Sequence, residues 1–307
     1  MFLMTLATFF SPSYIGDLDR MVWLRHSIEA FHTPPTRHII AVPKCDLRTF
    51  KNTLGSSGEI ELVCQEDFVD SAFYPDWLYR LTKKIAPDQA WRLHSRAGKS
   101  GWIIQQIVKL ASTRIVKQGA IVFLDSDIFF YRPFSLPNDL GIREGEKILV
   151  RILPEEEGAK HRHHINNARR FFDLPDGSTD TTYMGFPAIW HTDWLEKMQH
   201  HIEQLKGKPW QAALLEVDFP ISEYTLYGVF IDEVLKPAQL TIRDQPFNLI
   251  AWDRPSFETL RSDILHGHPL PADRLTLCIQ SNINIPIQEY DDMLRALLRQ
   301  STTGHGA

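Results

Sequence analysis

Asp125 and Asp127 flank Ser126 in the segment FLDSDIFFYRPF, residues 123–134. Two carboxylates two residues apart make a hard oxygen site. Such a site suits Mg2+ or Mn2+, held directly or through water, with the metal bridging to a diphosphate. Without a cation the pair is costly, because burial and mutual repulsion both oppose ionisation. The other reading is a turn in which one aspartate caps the next element and the second faces water. The preceding run AIVFL, residues 120–124, is continuous and apolar, as in a strand covered on both faces. Ligands of open α/β sheets gather just outside the carboxyl ends of such strands.

The elements that must carry this segment alternate in type. Met4–Phe10 reads as a first buried strand, and Leu18–Phe31 follows with apolar residues near helical spacing. RHIIAVP (37–43) and EIELVC (59–64) read as strands. Residues 72–93 read as broken helix. Residues 100–117 give the clearest helix, with Ser100 as a candidate N-cap, an apolar stripe of Ile103, Ile107 and Leu110 with Ile104, Val108 and Ile115, and a stop at Gly119. This rhythm predicts an α/β fold with right-handed crossovers. Later, 147–153 reads as a strand, 154–170 as a polar His/Arg-rich loop, and 175–182 as turns. Residues 194–205 and 212–217 read as helix, 226–235 as an apolar segment, and 275–287 as one or two strands. No repeat or linker divides the chain. The expectation is one domain over residues 1–300, in two halves at 1–135 and 136–300, with a flexible tail at 301–307.

Composition narrows the function classes. The chain has 307 residues, 43% of them hydrophobic and 23% charged, which excludes a disordered or low-complexity chain. Its 33 basic and 38 acidic residues leave a net charge of −5, a poor start for a nucleic-acid binder. No apolar run reaches membrane-spanning length. The apolar first ten residues lack the basic flank and cleavage site of a leader. Cys45, Cys64 and Cys278 lie far apart, as free thiols of a reducing compartment do. A cytoplasmic protein is expected.

LDSDIFFYRPF, preceded by a helix bearing Gln105, Gln106 and Lys109, resembles GT-A glycosyltransferases with a D-x-D motif. More closely, it is similar to a bacterial group of GT-A-type enzymes catalogued as a domain of unknown function. That group has a Q-x-x-K-L helix before the D-x-D, here Gln106-Ile-Val-Lys109-Leu110. It also has an S-E-Y-x-x-Y-G segment, here Ser222-Glu223-Tyr224-Thr225-Leu226-Tyr227-Gly228. The resemblance implies a GT-A-like, Rossmann-like mixed sheet flanked by helices. It also implies metal-dependent, hexosyltransferase-type transfer from a UDP- or GDP-sugar class donor to a glycan or small-molecule acceptor, in glycan or polysaccharide synthesis.

Under that resemblance Asp125 and Asp127 hold Mn2+ or Mg2+, Ser126 sits near the ribose, and Lys109, beside Gln106, reaches a phosphate. In the loop after the first strand, Ser11 lines the nucleotide, Tyr14 stacks on the base and Asp17 accepts from a ribose hydroxyl. Asp17 equally suits a helix cap, and Lys109 a solvated surface. Glu223 is the candidate base, with Asp232 as a second choice; a helix-start box with Ser222 as cap explains Glu223 as well. His266 or His268 is a candidate third metal ligand, or a turn histidine. Tyr183, Gly185 and Trp190 suit either an acceptor wall or the core. His161, His163 and His164, with Arg162 and Arg169, suit either a lid or a solvated loop.

Three other readings share some of these features. A haloacid-dehalogenase-type phosphatase also uses D-x-D after a buried strand. Here, however, Phe129 stands at the fifth position, where Thr or Val is usual, and the motif comes far into the chain. A nucleotidyltransferase shares the metal chemistry. A non-catalytic sugar-binding module on the same scaffold would have little use for both aspartates and Glu223.

Overall fold

Parallel pairing organises the first part of the chain. The computed structural model describes residues 6–55, 58–69, 81, 84–85, 101–152, 162–178, 181–244 and 246–303. Strands β1 (Ala7–Pro12), β2 (His38–Val42), β3 (Ile60–Cys64) and β4 (Ala120–Phe123) lie in the order β3-β2-β1-β4, all parallel. β7 (Ala188–His191) closes the other edge, antiparallel to β4. Every residue of β1, β2 and β4 is buried, which explains their largely apolar composition and the unbroken apolar run of β4. Alternation divides their side chains between two faces. Phe10, Ile121 and Phe123 pack with Ile104, Ile107 and Val108 of helix α3 (Gly101–Leu110). Phe9 and Val122 pack with Met21, Leu24 and Ile28 of α1 (Leu18–Phe31). Each buried phenylalanine contributes roughly 1.5–3 kcal/mol.

Helix α2 (Leu47–Leu54) links β2 to β3. A second sheet begins four residues beyond β4. β5 (Ile128–Phe130) pairs antiparallel with β10 (Thr276–Ile279), which pairs parallel with β9 (Asn248–Ala251). β6 (Ile148–Val150) pairs with β8 (Thr241–Arg243). The helices after β6 are α4 (Arg162–Phe171), α5 (Thr192–Lys206), α6 (Trp210–Leu215), α7 (Glu223–Val229), α8 (Arg254–Leu265) and α9 (Asp291–Thr303). α7 runs on into a π-helical turn, Phe230–Leu235. The architecture is thus the expected mixed sheet flanked by helices. No helix among the described residues is long and apolar enough to cross a membrane.

The structure corrects several expected elements. The polar stretch read as a loop forms α4 from Arg162 onward; Ile165, Ala168 and Phe171 are its buried stripe, hidden in the sequence by five basic side chains. The late strand stops at Ile279, while the apolar segment 226–235, for which no element type was expected, is helical. α9 continues through Thr303, into the expected tail. Met4, Thr5, Ser100, His161, residues 153–160, most of 72–93 and 304–307 lie outside the described residues.

One close approach fixes α7 against the segment entering β7. A Cβ built on Gly228 would fall 2.0 Å from Cγ of Tyr183, far inside contact distance. The Gly228→Ala variant is expected to lose about 1–3 kcal/mol of stability, measured by urea denaturation.

Candidate functional site

Asp125 and Asp127 occupy the bend where the chain leaves β4 and enters β5. Three elements converge on Asp125. The last turn of α3 presents Lys109, whose Nζ lies 2.8 Å from Asp125 Oδ1 and 3.0 Å from Glu223 Oε1. Lys109 also donates to the Tyr224 hydroxyl, which in turn donates to Asp125 Oδ2 at 2.9 Å. Glu223 and Tyr224 open α7. The Lys109 and Glu223 side chains are each only 3% exposed, so neither carries its charge in water. Burial works against the Lys109 ammonium, but the Asp125 and Glu223 carboxylates more than offset it and raise its pKa. Burial raises the Glu223 carboxyl against the pull of Lys109. It raises Tyr224 well above its usual value, with Asp125 adding to the effect.

A second cluster surrounds Asp127. Asp17, at the start of α1, is buried, pairs with Arg20 at 3.1 Å and takes a hydrogen bond from Ser126. Arg20 also donates to the Tyr290 hydroxyl at 3.2 Å and to the Ile285 carbonyl at 3.5 Å. The Ser281 peptide N–H bonds to the Asp127 carboxylate, and the Ile279 N–H donates to the Asp127 carbonyl. Burial, then the charges of Asp125 and Asp17, push the Asp127 carboxyl up to about 7. Among the described residues no three Asp, Glu, His or Cys side chains converge on one ion position. Two carboxylates completed by substrate phosphates and water are nevertheless the common Mg2+ arrangement. A cation would relieve the repulsion that Asp125 and Asp17 exert on Asp127, so the residues fit such an ion.

The expected site residues divide into two groups. Asp17, Lys109, Asp125, Ser126, Asp127 and Glu223 are brought together as described. Tyr14 lies at the carboxyl end of β1, 47% exposed, with its ring over Gly16. Gln106 is buried and, with Glu223, lines a small cavity of about 90 Å3 beside α3. Ser11 is fully buried; its hydroxyl is bonded to His38 at 2.8 Å on the α1 side of the sheet, because it shares the face of Phe9. It therefore belongs to the core, not to a nucleotide pocket. Lys109 is neither solvated nor free to reach outward. His266 and His268 are exposed and bonded to the Ser262 carbonyl and to Asp263. No group of three Asp, Glu, His or Cys side chains able to share an ion forms among the described residues, so the structure does not bring these histidines to the aspartates. Asp232 accepts from Tyr183 at 2.8 Å, nine positions beyond Glu223. Trp190 is buried against Tyr227, with ring centroids 4.7 Å apart. His163 and His164 belong to α4.

Arg20, Tyr224 and Tyr290 were not among the expected site residues. Arg20 stands at i+3 from Asp17, a helical pairing visible in the sequence. Nothing local marks Tyr290, 270 positions from Arg20.

A family model described as "Family of unknown function (DUF6492)" matches residues 5–302. No curated protein matches the chain. Among solved structures, the galactosyltransferase LgtC, in complex with donor and acceptor sugar analogs, is similar at 14% identity and a TM-score of 0.49, covering 94% of this chain and 95% of that one. Mouse xyloside xylosyltransferase 1, in its apo form, is similar at 12% identity and a TM-score of 0.47, covering 91% of this chain and 99% of that one.

Two measurements probe the clusters. Lys109→Met leaves Glu223 buried beside Asp125 with no counter-charge and should cost about 3–5 kcal/mol in urea denaturation. At Asp127 the folded state holds its proton more tightly than the unfolded chain. The carboxyl's contribution to stability is therefore full below its ordinary pKa near 4 and is lost as pH rises to about 7. In chelator-treated protein, Asp127→Asn should melt several degrees above wild type at pH 8, with the gap closing toward pH 4.

Proposed function

We infer that this chain, which belongs to the family of unknown function DUF6492, transfers a sugar from a nucleotide-diphosphate donor to an acceptor hydroxyl. One observation carries the reading. The chain runs outward from β1 through β2 to β3, then returns to place β4 on the other side of β1. The carboxyl edge between β1 and β4 is therefore a topological switch point, where open α/β sheets bind ligands. Tyr14 and Asp17 follow β1 there, and Asp125, Ser126 and Asp127 follow β4. An exposed aromatic ring and a hard oxygen pair on adjacent strands match the two ends of a nucleoside diphosphate.

Each residue then has a task. The Tyr14 ring stacks on the base, and Asp17 with Ser126 addresses the ribose. Asp125 and Asp127 would hold Mg2+ or Mn2+. Such an ion, when bound, neutralises charge on the departing diphosphate. Lys109 and Tyr224 fix both Asp125 oxygens in place, so that carboxylate needs no reorientation as the donor arrives. They are positioning residues. Inverting transfer needs a base for the acceptor proton. Glu223, the carboxylate tied to Asp125 through Lys109, is that candidate base.

Thermal shift of the full chain with UDP and with GDP, each with and without Mn2+, tests this reading. One nucleotide at a hundred times its Kd should stabilise the protein by roughly 2.7 kcal/mol, and only with the metal. Asp127→Ala should remove that shift. A folded protein that answers neither nucleotide overturns the reading.

A further inference from the structure

A cavity of about 560 Å3 lies at the far end of α7, lined by Arg169, Ser178, Tyr183, Asp232, Glu233 and Lys236, among others. Its volume falls within the range of small-molecule sites. The cavity is a built one. The Arg169 side chain, 10% exposed, donates from Nε to both oxygens of Glu233, at 3.0 and 2.9 Å, and from Nη1 to the Ser178 carbonyl at 2.6 Å. A Cβ on Gly177 would fall 2.5 Å from Arg169 Nη1, so a bare backbone lets the guanidinium lie flat. Tyr183 and Arg151 both approach Oδ2 of Asp232, which leaves that carboxylate further lone pairs. The floor is the π-helical turn, a distortion frequent at functional sites.

The cavity lies on the aspartate side of the sheet. Ala188, the first residue of β7, pairs with Phe123, the last of β4. Tyr183 and Phe186, which lead into β7, therefore lie toward Asp125. The Phe186 ring stands 5.3 Å from that of Tyr224, whose hydroxyl binds Asp125. From Glu223 to Asp232 the helix rises about 13 Å, more than a single sugar ring spans.

The lining selects a chemistry. Arg169 and Lys236 face Asp176, Asp232 and Glu233, so the charges nearly cancel. An anion would meet three carboxylates, and an apolar ligand would strand every polar group it covered. A neutral polyhydroxyl ligand offers donors and acceptors to both signs.

We propose that this cavity holds the non-reacting part of a saccharide acceptor at least two sugar units long, with Asp232 and Glu233 accepting from its hydroxyls. This identifies the acceptor class and rests on the transferase reading. Saturation-transfer NMR on the full chain, with cellotriose, maltotriose and chitotriose beside glucose and N-acetylglucosamine, tests it. At least one trisaccharide should bind, with its monosaccharide about tenfold weaker, and Asp232→Asn and Tyr183→Phe should each weaken it about tenfold. Tyr183→Phe keeps the ring over Gly228, so it guards against a misfolded Asp232 variant. Binding by none of the three, or binding untouched by either variant, overturns the proposal. So does displacement of the sugar by inorganic phosphate or putrescine. Failure of the donor reading shows separately, as no nucleotide shift in the unaltered protein, while the saccharide signal stands or falls on its own.

Discussion

The Lys109 ammonium, buried between Asp125 and Glu223, is the interaction on which the site depends. Three elements distant in sequence end at this one charge: the last turn of α3, the bend after β4 and the first turn of α7. Without it the buried Glu223 carboxylate, beside the partly exposed Asp125, would carry a desolvation cost that no local packing offsets. With it, each has a fixed partner, and Tyr224 closes the ring of contacts through its hydroxyl. The ion pair also explains why α7 sits where it does. Its other anchor is steric, the bare Gly228 backbone against the Tyr183 ring. One contact fixes the helix at Asp125, and the other fixes it at the cavity. The distance between the two regions is thus set by the rise of a single helix.

A comparable clasp works on the other side of the aspartates. Arg20 joins Asp17, in the first βα connection, to Tyr290 and the Ile285 carbonyl near the carboxyl terminus. The peptide N–H of Ser281 reaches Asp127. The two expected halves, 1–135 and 136–300, therefore meet at the site itself. The late segment supplies backbone N–H contacts to Asp127, and the Tyr290 hydroxyl to Arg20, in place of the histidine side chains expected from it.

Legibility in the sequence followed the range of the interactions. β2, β3, β4 and α1 were readable because their own residues carry the apolar runs and spacing, and Leu18–Phe31 matches to the residue. The Asp125–Asp127 pair was readable because strand and bend are contiguous. Ser11 was misplaced because strand alternation turns it toward His38, a partner 27 positions away. α4 was hidden because its buried stripe of Ile165, Ala168 and Phe171 is thin against its charge. The role of Lys109 turned on Glu223 and Tyr224, more than 110 positions distant. Each residue could be singled out from its motif, but the contact between them appears only in the fold.

Local charge gives the −5 of the whole chain a more specific meaning. Asp17, Asp125, Asp127 and Glu223 face Lys109 and Arg20 alone among the cations described in contact with them. Four carboxylates against two cations leave a negative edge, softened only by the partial protonation of Asp127 near neutrality. An anionic diphosphate approaching that edge by itself is repelled. A divalent ion approaching by itself would find two carboxylates, with no third Asp, Glu, His or Cys side chain converging there among the described residues, too few for a tight site. On the transferase reading each would supply what the other lacks, since the phosphates would complete the coordination and the ion would reverse the field. Under the transferase reading the two bind as one unit, and the affinity of either is set by the presence of the other. The buried ion pair keeps Asp125 in the geometry that such joint binding needs.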